Sequence, residues 1–200
     1  MKRSLLSFLI IIFWFLLFYC SATPLTSSST ETDPDPPYTS STSESESLVN
    51  PLSDIIFDYM KYPDEETSFI IANEIVYQSD LYGFNSEDIP YILALFYAES
   101  NFNSLARNPN SSASGIGQIL MSMHGHKFEN YEDWKDPKKN LAVAFMILNG
   151  AKNSYLDVED QDKQWFCIYK QYCGKAAYAR NALRHVEMFE ESILYELHDN

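Results

Sequence analysis

The chain has 200 residues and a formal net charge of −14, from 14 basic and 28 acidic side chains. Hydrophobic residues make up 46% and aromatic residues 15%, which excludes a wholly disordered chain. An acidic protein repels phosphate backbones, so neither DNA nor RNA is an expected partner. Three cysteines are too few for a disulfide scaffold and do not form a Cys-x-x-Cys pair. One ordinary folded domain is therefore expected.

Residues 1–22 are predicted to be a secretory signal peptide or, alternatively, an uncleaved membrane anchor. Two basic residues precede an apolar run over 5–19, which has the length of a signal and is shorter than the roughly 20 residues that span a bilayer. Cys20 and Ala22 suit cleavage by signal peptidase, and lipidation of Cys20 is the alternative. Each of these outcomes predicts an extracytoplasmic protein, either in the periplasm and cell envelope or secreted.

Residues 23–47 are rich in Ser, Thr and Pro and poor in apolar side chains, which predicts a disordered linker. The linker would act as a tether if the N-terminus stays anchored, and as a loose tail if the signal is removed. The folded domain is predicted over 48–200.

This domain is predicted to be all-α, because apolar residues recur at helical spacing and strand-like alternation of useful length is missing from the sequence. One helix is expected to end near Gly83. Its apolar face consists of Phe69, Ala72, Ile75, Val76 and Ser79. Ser86 is the expected N-cap of the next helix, with Pro90 in its first turn.

The helix that follows Ser86 is apolar on almost every side, so it is expected inside the domain with its end at Glu99-Ser100. A loop rich in Asn, Ser and Gly covers 103–117. Another helix is expected after Asp136-Pro137, and a short one begins at Trp165. A long amphipathic C-terminal helix is predicted from the spacing of Ala179, Leu183, Val186, Phe189 and Ile193.

Glu99 stands out because a carboxylate at the end of a buried helix is costly. Burial disfavours its charge, and the helix C-terminus adds partial negative charge beside it. Both effects raise the pKa of Glu99 toward the range that a general acid needs at neutral pH. The alternative is a structural glutamate that caps the helix or pairs with Arg107 or a lysine.

Four segments resemble landmarks of one enzyme family in the same order. The helical stretch over 71–95 is followed by Glu99-Ser100-Asn101-Phe102-Asn103, then by Ala-Ser-Gly-Ile-Gly-Gln-Ile-Leu over 113–120, and then by Asp136-Pro137 with Asn140-Leu141. Together they resemble the soluble-type, goose-lysozyme-like lytic transglycosylases. The sequence departs from this family at Ser112 and Asn108, where glycine and serine are common. The late Ala-Tyr-Asn-x-Gly segment is matched only by a tyrosine and a glycine within 169–174.

The resemblance implies a lysozyme-like helical domain that cleaves the β-1,4 bond between N-acetylmuramic acid and N-acetylglucosamine in peptidoglycan. Glu99 would act first as an acid and then as a base, closing a 1,6-anhydro ring without water or a second carboxylate. Two alternatives are a lysozyme-like hydrolase on the same fold and an inactive glycan-binding or scaffold protein of the cell envelope.

The resemblance also implies a substrate-binding site beside the catalytic Glu99. Its members are Ser100, Asn108, Gly115, Gly117, Gln118, Asn140, Tyr169 and Tyr172. Gln118 would bind the substrate or steady Glu99, and the two glycines would let the glycan approach the backbone. Tyr169 is preferred to Tyr172 as the tyrosine that faces Glu99, because it continues the helix from Trp165.

Other polar groups have simpler interpretations. A hydrolase would need a second carboxylate, for which the candidates are Glu129, Glu132 and Asp133, more simply interpreted as a solvated face. His124 and His126 lack further ligands at metal-binding spacing, so neither a metal nor a cofactor is predicted. Cys167 and Cys173 could pair only if the helix breaks between them.

The predicted partners are the glycan strands of peptidoglycan. Contact with a membrane is expected only through the N-terminal segment. Envelope or secretion machinery is a further predicted partner.

Overall fold

The computed structural model describes residues 43–199, so the predicted signal or anchor lies outside the described part of the chain. Within 43–199 the chain forms eight α-helices, three short 3-10 helices and one two-stranded antiparallel ribbon. The helices are α1 (Ser43–Tyr59), α2 (Glu65–Tyr82), α3 (Ile89–Ser100), α4 (Met121–His124), α5 (Pro137–Lys152), α6 (Gln161–Cys173), α7 (Ala176–Leu183) and α8 (Val186–Asp199). The strands are β1 (Ala113–Ser114) and β2 (Ile119–Leu120), and the 3-10 helices are Ser86–Asp88, Gly125–Lys127 and Tyr131–Lys135.

The predicted all-α class is confirmed, with the short ribbon as an addition that strand periodicity could not reveal. A two-residue strand is too short for alternation to be visible in the sequence. None of the helices in the described range is both long and apolar enough to cross a membrane. Helix α1 begins at Ser43, inside the stretch 23–47 that its composition predicts to be disordered.

Helix α3 is the centre of the domain. Every residue from Ile89 to Phe96 is buried, which agrees with the predicted burial of this helix. The pairs α1–α2, α2–α5, α5–α6, α6–α7 and α8–α1 are in contact, and α7 and α8 also pack against α3. Helix α3 also contacts α5 through Phe96 and Phe145 and α6 through Tyr91 and Trp165. The apolar area that these helices remove from water supplies most of the driving force for folding.

The boundaries of α2 and α3 are set by local hydrogen bonds. Asp64 accepts a hydrogen bond from the backbone N of Thr67 at 2.8 Å, and Gly83 ends α2 with a φ of 65°, as predicted for this glycine. The expected N-cap at Ser86 is wrong by one residue. Asn85 and Asp88 instead bind each other's backbone N–H groups at 3.1 Å in a reciprocal capping box.

Two details of the predicted packing differ from the structure. Phe69 is 48% exposed, because α1 and α5 cover the other side of α2, where Ile71, Ala72 and Ile75 are buried. The single C-terminal helix is divided into α7 and α8 by a turn around His185. This turn allows both pieces to pack on α3, and the His185 ring lies edge-on to Tyr97 at 4.9 Å.

Asp88 fixes the N-terminal end of α3. Its carboxylate accepts a hydrogen bond from Nε1 of Trp165 at 3.1 Å and pairs with Nζ of Lys152 at 3.2 Å. Lys152 also donates to the carbonyl of Gly83 at 2.8 Å and lies 4.1 Å from the ring centre of Phe84. This buried cluster joins the start of α3 to α5 and α6, at the opposite end of the helix from Glu99.

We expect the Asp88→Ala variant to lower the free energy of unfolding by about 3–5 kcal/mol, because it leaves a partly buried lysine ammonium without its counter-charge. Glu132→Ala, which removes an exposed ion pair with Lys135, is the control and should cost less than about 1 kcal/mol. Urea unfolding measures both. Equal losses for the two variants would contradict the structural role of the Asp88 cluster.

Candidate active site

Glu99 lies in the last turn of α3, where the backbone leaves the helix through two left-handed residues. Asn101 has a φ of 52° and Phe102 a φ of 55°. Left-handed geometry costs a non-glycine residue roughly 1–2 kcal/mol. The complete burial of the Phe102 side chain and a 3.1 Å hydrogen bond from the backbone N of Lys61 to the carbonyl of Asn101 offset this cost. The turn thus fixes the helix end that carries Glu99.

The direct neighbour of the Glu99 carboxyl is Tyr178, in the first turn of α7. The Tyr178 hydroxyl oxygen lies 3.3 Å from Oε2 of Glu99 and also donates to the carbonyl of Ala98 in a short hydrogen bond. A phenol has a single proton. When the phenol O–H donates to the Ala98 carbonyl, the phenol oxygen is free to accept a hydrogen bond from a neutral Glu99.

Burial raises the pKa of Glu99 to about 8, and the hydrogen bond with Tyr178 opposes part of that rise. At pH 7 a group with this pKa is protonated in about nine of ten molecules. No second carboxylate among the described residues contributes to the raised pKa. The sequence prediction that burial keeps this side chain neutral therefore agrees with the structure.

The structural alternative for Glu99 finds no support among residues 43–199, since no ion pair there involves its carboxylate. Arg107, the predicted counter-charge, instead lies 5.2 Å from the ring centre of Trp134. Two of the three candidates for a second carboxylate are held in ion pairs, and the third is exposed. Glu132 pairs with Lys135, Asp133 pairs with Lys139 at 3.0 Å, and Glu129 is exposed.

The β1–β2 ribbon belongs to a loop that Asn140 of α5 holds in place. The buried Asn140 side chain accepts a hydrogen bond from the backbone N of Gly117 at 2.9 Å, and its Nδ2 donates to the carbonyls of Ser114 and Trp134 at 3.2 and 3.0 Å. Both N–H groups of the Asn140 side-chain amide are therefore used, and the residue is 0% exposed. The expectation that Asn140 contacts substrate is corrected: it positions the loop.

Gly115 and Gly117 are also needed for packing, and this corrects the expectation that they leave room for the glycan. Both are buried. A Cβ on Gly115, whose φ is 79°, would lie 2.0 Å from Nδ2 of Asn140. A Cβ on Gly117 would lie 2.7 Å from the Cβ of Ala144 and 2.8 Å from the hydroxyl of Tyr172. Glycine is therefore required so that the loop can approach α5 and α6 closely.

Gln118 is partly exposed at the end of this loop and has a positive φ of 47°. Its Nε2 donates to the carbonyls of Ala106 and Gly115 at 3.3 and 3.0 Å. Because both partners are acceptors, the amide nitrogen must face them, and these bonds leave Oε1 unused. Asn101, Phe102 and Gln118 are the positive-φ non-glycine residues of the described range, and all three lie in the Glu99 turn or this loop.

The tyrosine assignment is corrected by the structure. Tyr169 is completely buried and donates to the carbonyl of Tyr91 at 2.6 Å, so it does not face Glu99. The Tyr172 hydroxyl donates to the carbonyl of Gly117 at 2.8 Å. Burial raises the pKa of Tyr172 well above its usual value, and the nearby charge of Glu99 adds to this rise. Tyr172 therefore lies beside the site without bonding to the carboxyl.

The last two predicted contact residues make hydrogen bonds to backbone groups and not to the Glu99 carboxyl. Ser100 is buried and donates to the carbonyl of Phe96 in its own helix at 3.3 Å, so its hydroxyl is not presented to a ligand. Asn108 is exposed in the loop before β1, where its side chain accepts a hydrogen bond from the backbone N of Asn110 at 2.9 Å. Of the predicted contact residues, Gln118, Asn108 and Tyr172 retain exposed surface.

The histidines and cysteines within residues 43–199 form neither a metal site nor a disulfide. Among these residues no group of three or more His, Cys, Asp or Glu side chains is arranged to hold a metal ion. Cys167 and Cys173 are free, because both lie on the continuous helix α6 and a rise of six residues separates them by about 9 Å along its axis.

A helical domain around a neutral, partly buried glutamate, with a glycine-containing loop beside it, has the architecture of a lysozyme-like glycan-cleaving enzyme. A family model for the transglycosylase SLT domain matches residues 84–192, which is more than half of the chain. The chain belongs to this family and is a lytic transglycosylase that acts on peptidoglycan. Comparisons with curated proteins and with solved structures give no significant match.

Tyr178 is the site residue that the sequence interpretation missed. The break at Gly174, which ends α6 with a φ of 74°, could have indicated a new helix with Tyr178 in its first turn. Its proximity to Glu99, 79 positions earlier, depends on the packing of α7 against α3 and could not be inferred from spacing.

The raised pKa of Glu99 predicts how stability changes with pH. Because the folded state holds this proton up to about pH 8 while an ordinary glutamate releases it near 4.5, the wild type should lose stability as pH rises between these values. Glu99→Gln cannot lose a proton. The free energy of unfolding of this variant relative to wild type should rise from near zero at pH 4.5 to on the order of 5 kcal/mol above pH 8.

Urea unfolding of both proteins from pH 4 to 9 measures this difference, at constant ionic strength. Glu132→Gln is the control for loss of an exposed carboxylate and should follow the wild type. A difference between Glu99→Gln and wild type that does not grow with pH would show that Glu99 has an ordinary pKa.

Proposed function

We propose that Glu99 is the single acid and base of the reaction, and that the product carries a 1,6-anhydro-muramyl end. The observation that carries this proposal is a carboxyl group that burial keeps protonated at neutral pH, without a charged partner among residues 43–199. A neutral acid at this position can protonate a glycosidic oxygen, which is the first requirement for breaking the bond.

The two steps balance without water. The Glu99 proton passes to the departing O4 of N-acetylglucosamine as the bond from O4 to the muramyl C1 breaks. The resulting carboxylate then takes the proton of the muramyl C6 hydroxyl, whose oxygen bonds to C1 and closes the anhydro ring. The burial that makes Glu99 an acid of pKa about 8 also makes its carboxylate a stronger base than an exposed one, so the same environment favours both steps.

Tyr178 is proposed as the positioning residue for Glu99. Its oxygen can accept a hydrogen bond from the protonated carboxyl while its own O–H donates to the carbonyl of Ala98. After Glu99 has given its proton to the sugar, rotation of the phenol O–H can turn the Tyr178 hydrogen from the Ala98 carbonyl to the new carboxylate. One hydroxyl therefore suits both protonation states and keeps the carboxyl in place between the two steps.

Gln118 is the proposed substrate contact, because its amide nitrogen is occupied and Oε1 remains available to accept from a sugar hydroxyl or acetamido N–H. Asn140, Gly115 and Gly117 support this role by fixing the loop. Asn108 and Tyr172 are proposed to border the glycan.

An extracytoplasmic location is also proposed, because the substrate lies outside the cytoplasm and the N-terminal residues 1–22 have the pattern of a signal or anchor. If this segment stays in the membrane, residues 23–47 would tether the domain close to envelope or secretion machinery.

Digestion of purified peptidoglycan, followed by mass spectrometry of the fragments, tests the proposal. We expect muramyl ends that are lighter by one water than a hydrolytic product, and a loss of about 10²–10⁴-fold in rate for Glu99→Gln. Glu132→Gln is the matched control, with an exposed glutamate, and should retain wild-type activity. Free reducing ends would indicate a hydrolase, and an active Glu99→Gln variant would remove Glu99 from the acid role.

A further inference from the structure

A cavity lies at the C-terminal end of helix α4 and is lined in part by Tyr172, a residue that the charge of Glu99 influences. It has a volume of about 380 Å³ and lies between the segment after β2, the second half of α5 and the end of α6. Its lining includes His124, Lys127, Met146, Ile147, Gln171 and Tyr172. We call this cavity the basic pocket, because its lining contains a lysine and a histidine but no acidic residue.

The charge of the basic pocket is unusual for this protein. The chain has twice as many acidic as basic residues, and the groove between α1 and α8 is lined by Asp58, Glu191 and Glu196. The Lys127 ammonium contacts the sulfur of Met146 at 3.2 Å and makes no ion pair within residues 43–199. Because a thioether is a weak acceptor, most of the hydrogen-bonding capacity of Lys127 is left for a ligand.

His124 shares this environment with the lysine. Burial lowers the pKa of His124, and the neighbouring charges of Lys127 and His126 lower it further. His124 is therefore a neutral ring at pH 7, with one N–H that can donate beside the Lys127 charge. A fixed positive charge next to a neutral donor suits an anionic oxygen ligand such as a carboxylate.

Tyr172 connects the basic pocket to the site of cleavage. It lines the pocket, and its hydroxyl donates to the carbonyl of Gly117, the residue before Gln118. It is also close enough to Glu99 to sense the charge of that carboxyl. Tyr172 therefore contacts both the pocket and the loop that carries Gln118.

We propose that the basic pocket binds a carboxylate of the stem peptide carried by a muramyl residue at the cleavage site, with Lys127 and His124 as the contacts. This inference rests on the proposed function. A stem of four or five residues extends to roughly 13–18 Å, which is longer than the tyrosine side chain that connects the pocket to the loop carrying Gln118. The stem peptide, with its carboxylates, is attached to the same glycan strand that occupies the Glu99 site.

A tethered carboxylate has an advantage over an independent anionic polymer of the wall. Once the glycan is bound, the peptide is held near the pocket at a high effective concentration, so that even one partly exposed ion pair contributes to binding. A separate anionic polymer would lose its full translational and rotational freedom on binding, and a protein of net charge −14 would repel it. The structure therefore favours the stem peptide as the ligand.

The proposal predicts that Lys127 distinguishes glycan strands with peptides from strands without them. The measured quantity is the ratio of kcat/KM on uncross-linked strands with intact stems to kcat/KM on strands whose stems an amidase has removed. Lys127→Met should lower this ratio about three- to tenfold, and Lys127→Arg should restore most of it. Lys163→Met, at the opposite end of α6, changes the net charge equally and should keep the wild-type ratio.

Binding of the free stem peptide gives a readout that does not require cleavage. In NMR titrations the wild type should show shifts at His124 and Lys127 with the peptide, and smaller shifts with the same peptide amidated at its carboxylates. Lys127→Met should weaken the binding by a similar factor. An unchanged cleavage ratio in Lys127→Met, or the absence of peptide-induced shifts at the pocket, would overturn the proposal.

These experiments separate the two hypotheses. If the wild type makes no anhydro product from either kind of strand, the proposed function fails, while the titration still decides whether the pocket binds the peptide. If Lys127→Met loses activity equally on both kinds of strand, the ratio stays constant and Lys127 serves the glycan or the fold instead.

Discussion

The partial burial of the Glu99 carboxyl is the constraint on which the site depends. Helix α3 has a carboxyl group near each end, and the structure neutralises the two in different ways. Asp88 is matched by the Lys152 ammonium and the Trp165 N–H, whereas Glu99 has no cation beside it within the described residues and keeps its proton instead. One end of the helix is thus fixed by an ion pair, and the other is left able to exchange a proton.

Holding a protonated Glu99 at the end of α3 lowers the stability of the domain, and packing elsewhere in the fold offsets this loss. Two successive left-handed residues follow the helix, and Gln118 has the same strained geometry across the site. The glycines at 115 and 117 allow the loop to press against α5 and α6, and Asn140 satisfies the loop's polar groups. Strain is concentrated where the chemistry is proposed, and the buried surface of α3 and its neighbours compensates for it.

The sequence predicted the features that depend on local pattern. Helical spacing identified the helical class, Gly83 marked the end of α2, and a polar residue in an apolar helix singled out Glu99. Features that depend on tertiary packing were missed. Tyr169 and Tyr172 are three positions apart on α6, and spacing alone could not show that one binds Tyr91 and the other Gly117. Asn140 and the two glycines matched a motif whose positions suggested substrate contact, but burial assigns them to the support of the loop.

The protonation state of Glu99 in the free protein is the property that tests this account most directly. The side-chain carboxyl carbon of ¹³C-labelled glutamate can be followed by NMR from pH 4 to 10, with Glu99→Gln used to assign the Glu99 signal. We expect a titration midpoint near pH 8 for Glu99, well separated from the exposed glutamates. A midpoint near the ordinary value of 4.5 would contradict it, because the carboxylate would then be charged at neutral pH and unable to donate the proton that starts the reaction.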